Sequence, residues 1–237
     1  MRIGYRVKTI WMLCILGLLG ASIPGLVAQD RGDPVSPLKF TGTVNYEVRP
    51  HVTRARLFVS VWKNNSFVSG LNVKLIHTPA LMSGNAYQCL IEPFSARAGS
   101  PVTVSFSAQN SPAKKPLVAT TVIEPPPIIR SPALGSQIDL DPLHPVIISW
   151  SGGAPPYHIS VIEYSGETTP SSMVFQKSGI TSTQLSLPTA HLNPAKKYGV
   201  VLSSNPVVFH FDGPTDPGTN FRLVPSVGSH FYTKQRR

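Results

Sequence analysis

Four side chains that could bind a ligand together lie in one short segment, RARLFVSVW. Arg54, Arg56, Phe58 and Trp62 are separated by even numbers of positions, so an extended strand would display all four on one face. Aromatic rings between arginines can stack on sugars or bases and can pair with anions. We therefore predict a ligand-binding face on this strand. Two alternatives remain, a bulge that turns one end of the face inward and a linker that covers it.

Two pairs of residues elsewhere could share a ligand. His210 and Asp212 in FHFDG are two positions apart and would share a strand face, although a solvated strand edge has the same pattern. Asp139 and Asp141 in IDLDP could hold calcium, but a calcium site needs roughly six to eight oxygen ligands. Neither pair is therefore a predicted site.

Two short motifs depend on the host for any meaning. RGD at residues 31–33 would be an adhesion tripeptide if it were displayed to an integrin, but it falls in a leader segment. NNS at residues 64–66 matches the glycosylation acceptor pattern, which is used only in a eukaryotic secretory pathway. Matches of three residues often arise by chance, so neither motif assigns a function.

The groups that enzymes and metal sites need are scattered along the sequence or missing from it. The histidines show no metal-ligand spacing: they are His51, His77, His144, His158, His191, His210 and His230. The sequence has no Gly-x-Ser-x-Gly turn and no glycine-rich phosphate loop. We predict no catalytic residue, no metal and no cofactor. The enzyme alternative is a hydrolase with a site between two domains, which would need at least two carboxylates in one cleft.

The N-terminal segment is typical of a secretory signal. Arg2, Arg6 and Lys8 precede the apolar run TIWMLCILGLLGASIPGLVA. We predict a signal peptide over residues 1–28, cleaved after Ala28, and a flexible leader over residues 29–37. The expected location is secreted or periplasmic, in the cell envelope. The alternative is an uncleaved signal anchor, because about 20 apolar residues can span a bilayer, and only then would the protein contact a membrane.

Removal of the signal would change both the cysteine content and the charge. Cys89 would remain as the only cysteine, so no disulfide could form within the chain. Loss of the three basic residues would reduce the formal net charge from +10 to +7. A weakly basic protein favours anionic surfaces, but this charge names no partner. We expect a protein or glycan partner of the envelope or matrix and no nucleic acid.

Composition and periodicity predict an all-β chain of two domains. The chain has 24 prolines and only 14% charged residues, and proline interrupts helices and central strands. Segments such as VTVSFSA alternate apolar and polar residues, as half-buried strands do. Three consecutive prolines at 125–127 favour a stiff extended linker. We predict one domain over residues 38–124, a linker over 125–130 and a second domain over 131–237, with each domain able to fold alone.

The second domain carries a more specific pattern. VIISW ends in Trp150, SGGAPP supplies a turn, and YHISVIEY begins at Tyr157. Farther along, Leu192-x-Pro194-x-x-x-Tyr198 precedes alternating apolar residues. This pattern, over residues 131–204, resembles a fibronectin type III or related immunoglobulin-like sandwich. The first domain is similar in pattern to immunoglobulin-like modules, without an equally specific motif.

The resemblance implies structural roles for these residues. Tyr198 would form a corner whose hydroxyl bonds to the backbone a few residues upstream. Leu192 would pack beneath that turn, and Trp150 would be the central core aromatic. The resemblance implies two tandem antiparallel immunoglobulin-like sandwiches after the signal peptide. The tail beyond residue 204 is longer than one closing strand requires, so it could add strands or decorate an edge.

These observations favour an exported, non-enzymatic binding or structural protein of the adhesion or scaffold type. The alternative is an accessory carbohydrate-binding protein that uses the aromatic and basic face of the Arg54 to Trp62 strand.

Overall fold

The computed structural model describes residues 37–109 and 115–235, and this part of the chain is all-β. Its only helical element is a short 3-10 turn, Thr189–His191. The prediction of an all-β chain is therefore confirmed, while the predicted signal peptide, residues 1–28, and the RGD motif lie outside the described residues. Within the described ranges, none of the helical structure is long and apolar enough to cross a membrane.

Nineteen strands follow one another along the described residues. The first nine are β1 (Lys39–Val48), β2 (Thr53–Lys63), β3 (Ser66–Phe67), β4 (Leu71–Leu75), β5 (Thr78–Pro79), β6 (Leu81–Ser83), β7 (Ala86–Ile91), β8 (Pro101–Ala108) and β9 (Leu117–Val122). The others are β10 (Ile128–Ser131), β11 (Gln137–Ile138), β12 (Val146–Ser151), β13 (Tyr157–Tyr164), β14 (Pro170–Ile180), β15 (Gln184–Leu187), β16 (Lys197–Ser203), β17 (Val207–Val208), β18 (His210–Phe211) and β19 (Asn220–Thr233).

The strands form three sheets. One sheet of 11 strands has the central order β14-β13-β16-β19-β1-β2-β7-β6, with β3, β11 and β17 at its margins, and we call it the long sheet. A five-stranded sheet, β18-β9-β8-β4-β5, covers one half of its inner face, and a three-stranded sheet, β10-β12-β15, covers the other half. Each pairing of sheets encloses a separate hydrophobic core, in the manner of a β-sandwich.

The first core lies between β1, β2 and β7 of the long sheet and the five-stranded sheet. Alternation within β2 is complete: Ala55, Leu57, Val59 and Val61 are all fully buried. Facing them are Val73 and Leu75 of β4, Val102, Val104 and Phe106 of β8, and Ala119 of β9. Burial of one apolar face per strand therefore accounts for the two-residue period of these sequences.

The second core lies between β13, β16 and the three-stranded sheet. Trp150 is 4% exposed and meets the ring of the buried Tyr157 edge-to-face, at 5.3 Å between centroids. Tyr198 is fully buried, and its hydroxyl accepts a 2.6 Å hydrogen bond from the backbone N–H of Asn193, five residues upstream. Leu192 is buried and Pro194 is half-buried in the same corner.

The long strand β19 takes part in both cores. Phe221 and Leu223 lie in the first core and Phe231 lies in the second. Over its first half β19 runs parallel to β1, and over its second half it runs antiparallel to β16. A parallel pair cannot be closed by a hairpin, and here the pair joins the first and last strands of the described chain.

The segment that precedes β19 also returns to the first core. β18 pairs with β9, and Phe209 is buried against Phe221 with their ring centroids 4.4 Å apart. The predicted second domain, residues 131–237, therefore contributes strands to both cores. The predicted linker, 125–130, is shorter in the structure, because β10 (Ile128–Ser131) pairs with β12. The tail adds strands to the long sheet and to the five-stranded sheet.

Candidate functional site

The predicted binding face of β2 lies on the outer side of the long sheet. Arg56 is exposed, Phe58 is 45% exposed, and Arg54 and Trp62 are half-buried. β2 pairs with β1 and with β7 without the register shift of a bulge, and the residues that alternate with these four are buried. All four predicted residues therefore lie on one face, but they are not equally free to meet a ligand.

Arg54 is held by an ion pair at one end of this face. Its Nε donates a 2.7 Å hydrogen bond to Oε2 of Glu47, whose other oxygen accepts a 2.8 Å bond from Nε of Arg49. Glu47 is 8% exposed, and loss of both arginines would leave its buried charge without a partner. Arg54 therefore serves first to position Glu47.

Trp62 is partly covered at the other end. Its indole N–H donates a 3.2 Å hydrogen bond to the hydroxyl of Thr41, and its ring contacts Phe67 edge-to-face at 5.9 Å between centroids. Phe67 belongs to β3, which folds back on β2 through the exposed turn at residues 64–65. The NNS motif overlaps this turn. Arg56 and Phe58 therefore remain as the open members of the predicted set.

Exposed apolar side chains surround these two residues. Phe58 lies opposite Gln88 of β7, which in turn lies opposite Leu81 of β6, and Leu81 is 76% exposed. Leu90, 45% exposed, lies directly opposite Arg56. Directly paired residues share a face of a sheet, so these side chains form one surface. We call it the outer patch: Arg56, Phe58, Leu81, Leu90 and the exposed Arg222 of β19, which lies two strands from Phe58.

A second concave feature lies where β19 changes its partner from β1 to β16. This cleft, which we call the junction cleft, has a volume of about 380 Å³. It is bordered by the β1–β2 turn, by the end of β13 with the loop after it, and by β16 and β19. Its lining includes Glu47, Arg49, His51, Tyr164, Glu167, Lys197, Gly199, Gly228 and His230.

Two glycines let the walls of the junction cleft lie flat on the sheet. A Cβ at Gly199 would lie 2.8 Å from the ring of Tyr164, and a Cβ at Gly228 would lie 3.0 Å from Oε1 of Glu47. The first glycine thus accommodates an aromatic wall and the second a charged wall. A larger residue at either position would require these side chains to move.

Lys197 and Glu167 form the main ion pair of the aromatic wall. Nζ of Lys197 lies 3.1 Å from Oε2 of Glu167 and 5.7 Å from the ring centroids of Tyr164 and Tyr232. Burial acts to lower the pKa of Lys197, but the hydrogen bond and charge of Glu167 outweigh it, so the pKa lies above its usual value. The same hydrogen bond lowers the pKa of Glu167. Both groups are therefore charged at neutral pH.

His230 lies between these two walls. Burial lowers its pKa, and the charges of Lys197 and His51 lower it further, while Glu167 acts in the opposite direction. The imidazole is therefore largely neutral at pH 7 and can donate or accept a hydrogen bond.

Both carboxylates of the junction cleft are occupied by cations, which bears on the hydrolase alternative. Glu47 is bonded to two arginines and Glu167 to Lys197. A general acid needs a raised pKa, and that of Glu167 is lowered. The cleft brings two carboxylates together, but their partners suit them to binding better than to acid catalysis.

The acidic residues of the other two pairs noted in the sequence make structural contacts. Asp212 accepts a 2.8 Å bond from the backbone N–H of Val118 and pairs with Lys115, while His210 is exposed. The backbone bond is the main reason why the pKa of Asp212 is lowered. Asp212 therefore fastens the returning tail to β9.

The two aspartates of IDLDP also have separate partners. Asp139 pairs with Lys234, and Asp141 bonds to His144 and to the backbone N–H of Leu143. Within residues 37–109 and 115–235, no group of three or more histidine, cysteine or acidic side chains is placed to hold a metal ion.

Comparison with known proteins adds no assignment. No protein-family model matches the sequence, and no curated protein matches it. The geometry of the outer patch and of the junction cleft must therefore support any functional conclusion.

The sequence pattern does not indicate the junction cleft. Its lining residues come from four separate segments that only the fold brings together. The one local signal is the sequence GSHFY in β19, where a glycine, a histidine and a tyrosine alternate on the outer face. That pattern alone does not differ from an ordinary solvated strand face.

Proposed function

We propose that this chain is an exported, non-enzymatic binding protein of the adhesion or scaffold type, acting in the cell envelope or outside the cell. In this proposal its two cores are tandem immunoglobulin-like sandwiches, the second of the fibronectin type III kind. The corner made by Tyr198 and the buried Trp150 support that assignment. Export rests on the sequence of residues 1–28.

The outer patch is the observation that carries the binding proposal. It places Leu81, Leu90 and Phe58 in solvent next to Arg56, although folding would favour burial of each apolar side chain. Aromatic residues and arginine are enriched at protein interfaces, and clusters of exposed apolar side chains mark interaction sites. A protein partner with an apolar and acidic surface fits this chemistry.

A glycan partner is the second candidate. It is favoured by the same pairing of Phe58 with Arg56, since aromatic rings stack on sugars and arginine binds their acidic groups. It is weakened by Trp62, whose ring edge is covered by Phe67 and whose N–H is already bonded. The outer patch thus offers one open aromatic ring where a platform for a glycan chain commonly uses several.

The test uses the full chain with Arg56 and Phe58 both replaced by serine. We expect binding of the labelled protein to the envelope fraction of its source cell to fall at least about tenfold. Ile147→Ser is the matched control, because Ile147 is 43% exposed on the outer side of the three-stranded sheet. Unchanged binding by the double variant would contradict the proposal. Binding to a glycan array that the double variant loses would favour the second candidate.

A further inference from the structure

The junction cleft is lined by charged and polar side chains that do not belong to the outer patch. It lies on the outer side of the long sheet, but it is a concave site of about 380 Å³, within the range of roughly 300–1,000 Å³ typical of small-molecule sites. A protein partner bound to the outer patch would not account for the polar side chains of the junction cleft.

Cations outnumber carboxylates around the junction cleft. Arg49 and Lys197 of the lining balance Glu47 and Glu167, and Arg54, which is not a lining residue, bonds to Glu47 as a third cation. The excess is therefore one positive charge. Arg49 also keeps N–H groups beyond its Nε bond, and its side chain is 40% exposed.

The neutral side chains of the cleft suit a ring that carries hydroxyl groups. Tyr164 supplies an aromatic wall, and its ring can lie close to β16 because Gly199 has no side chain. His51 and His230 can each donate or accept a hydrogen bond. The carboxylate of Glu167 is 79% exposed and can accept a bond from a hydroxyl while it keeps its pair with Lys197.

We propose that the junction cleft binds a sugar acid, a pyranose ring that carries one carboxylate. The carboxylate lies against the free N–H groups of Arg49, with His51 beside it, and the apolar side of the ring lies against Tyr164. The ring hydroxyls bond to His230 and Glu167. This site goes beyond the proposed function, because it is separate from the outer patch and needs no protein partner.

The probe is D-glucuronate, titrated into the full chain by calorimetry and followed by the NMR signals of the histidine rings. We expect saturable binding that shifts the His230 signals and weakens as salt is added, because the attraction of a charged ligand is screened. D-Glucose has the same ring without the carboxylate, and acetate has the carboxylate without the ring. D-Glucose should bind at least about tenfold more weakly, the loss expected for one charge-assisted hydrogen bond. Acetate should also bind at least about tenfold more weakly, because it makes no contact with Tyr164, His230 or Glu167.

Arg49→Gln is the main variant, since Glu47 keeps its bond to Arg54 and the fold keeps its ion pair. We expect at least a tenfold loss of glucuronate affinity. Arg97→Gln, at another exposed arginine, is the matched control. His51→Gln, with His77→Gln as its control, repeats the comparison at two exposed turn histidines in case Arg49→Gln lowers stability.

Three results would overturn the assignment: no saturable glucuronate binding, equal affinity for glucose or acetate, or equal affinity in the cleft variants and their controls. The outcome is separable from that of the outer patch. Replacement of Arg56 and Phe58 by serine should leave glucuronate affinity unchanged even where it abolishes binding to the envelope, because neither residue lines the cleft.

Discussion

The two hydrophobic cores are built from the chain in different ways. The second core takes almost all its buried side chains from one continuous stretch, Val146 to Leu202, and adds Phe231. The first core takes most of its side chains from Phe40 to Ile123, but it is completed by Phe209, Phe221 and Leu223, nearly one hundred residues later. The difference lies in the tail, which closes both cores with one strand.

This difference determines how independent the two halves of the molecule can be. β19 has β1 beside its first half and β16 beside its second half, so neither half of the long sheet is complete without it. If residues 38–124 folded alone, β1 would lack its parallel partner. The first core would also lack Phe209, Phe221 and Leu223, and the space that they fill would be open. We therefore expect the two cores to unfold as one unit.

The largest effect should come from removal of the tail. A chain truncated after Ser204 keeps every strand from β1 to β16 but loses Phe209, Phe221 and Leu223 from the first core. Each buried phenylalanine contributes roughly 3–5 kcal/mol, and typical stabilities are about 5–15 kcal/mol. We expect no cooperative thermal transition by near-ultraviolet circular dichroism. A truncated chain with a stable first core would show that the tail is dispensable.

Matched single substitutions compare the cores directly. Phe221→Ala in the first core and Trp150→Ala in the second should each destabilise the chain by roughly 3–5 kcal/mol through the cavities they leave. Both should lower the midpoint of the same transition in urea. Val208→Ala, at a side chain 52% exposed in the same tail, should stay within about 0.5 kcal/mol of the unchanged protein. Two transitions, each moved by one variant only, would show that the two cores unfold separately.

Tyr198→Phe should have a smaller effect, confined to a polar contact of the second core. It removes the hydroxyl that accepts the Asn193 N–H and donates a 3.0 Å bond to Oε2 of Glu163, and we expect a loss of about 1 kcal/mol or somewhat more.

The pH dependence gives a second measure of the same hydroxyl. Burial, together with Glu163, raises the pKa of Tyr198 to about 12, although the Asn193 N–H acts to lower it. The folded state therefore holds the proton more tightly than the unfolded state, whose tyrosine has a pKa near 10. This contribution to stability is complete below pH 10 and is lost as pH rises towards 12. Tyr198→Phe should remove this part of the decline, and an unchanged decline would assign it to other groups.

The smallest effect on stability is expected on the outer face, which belongs to neither core. Phe58→Ser should change the free energy of unfolding by no more than about 0.5 kcal/mol, because the ring is 45% exposed. Val59→Ser, one position along the strand, places a hydroxyl in the first core at a fully buried site and should destabilise by several kcal/mol. Similar losses for both variants, measured by urea unfolding, would mean that the Phe58 face is buried.

The local sequence pattern predicts the residues of the second core more completely than those of the first. The two-residue period of β2 correctly separates Leu57 from Phe58, since burial of one strand face is a local property. The second core follows from a compact motif around Trp150 and Tyr198. The first core does not follow in full, because the apolar residues of β19 carry no sign of which core lies beneath them.

The candidate sites divide in the same way. Arg56 and Phe58 are identified by their spacing within one strand. The contacts that restrict Arg54 and Trp62 cannot be identified from spacing, because they are made with Glu47 on β1 and Phe67 on β3. The junction cleft depends on where β19 changes partners, and that position is set by tertiary contacts between segments far apart in the sequence.

The most direct test of the shared strand is amide hydrogen exchange of the full chain in increasing urea, below the unfolding transition. Val59 in the first core and Ile148 in the second are both fully buried in paired strands. If β19 joins the cores, the amides of both strands should exchange only through global opening, with equal free energies and equal urea dependence. Exchange of the Ile148 strand at a lower opening free energy, while the Val59 strand stays protected, would contradict a single cooperative unit.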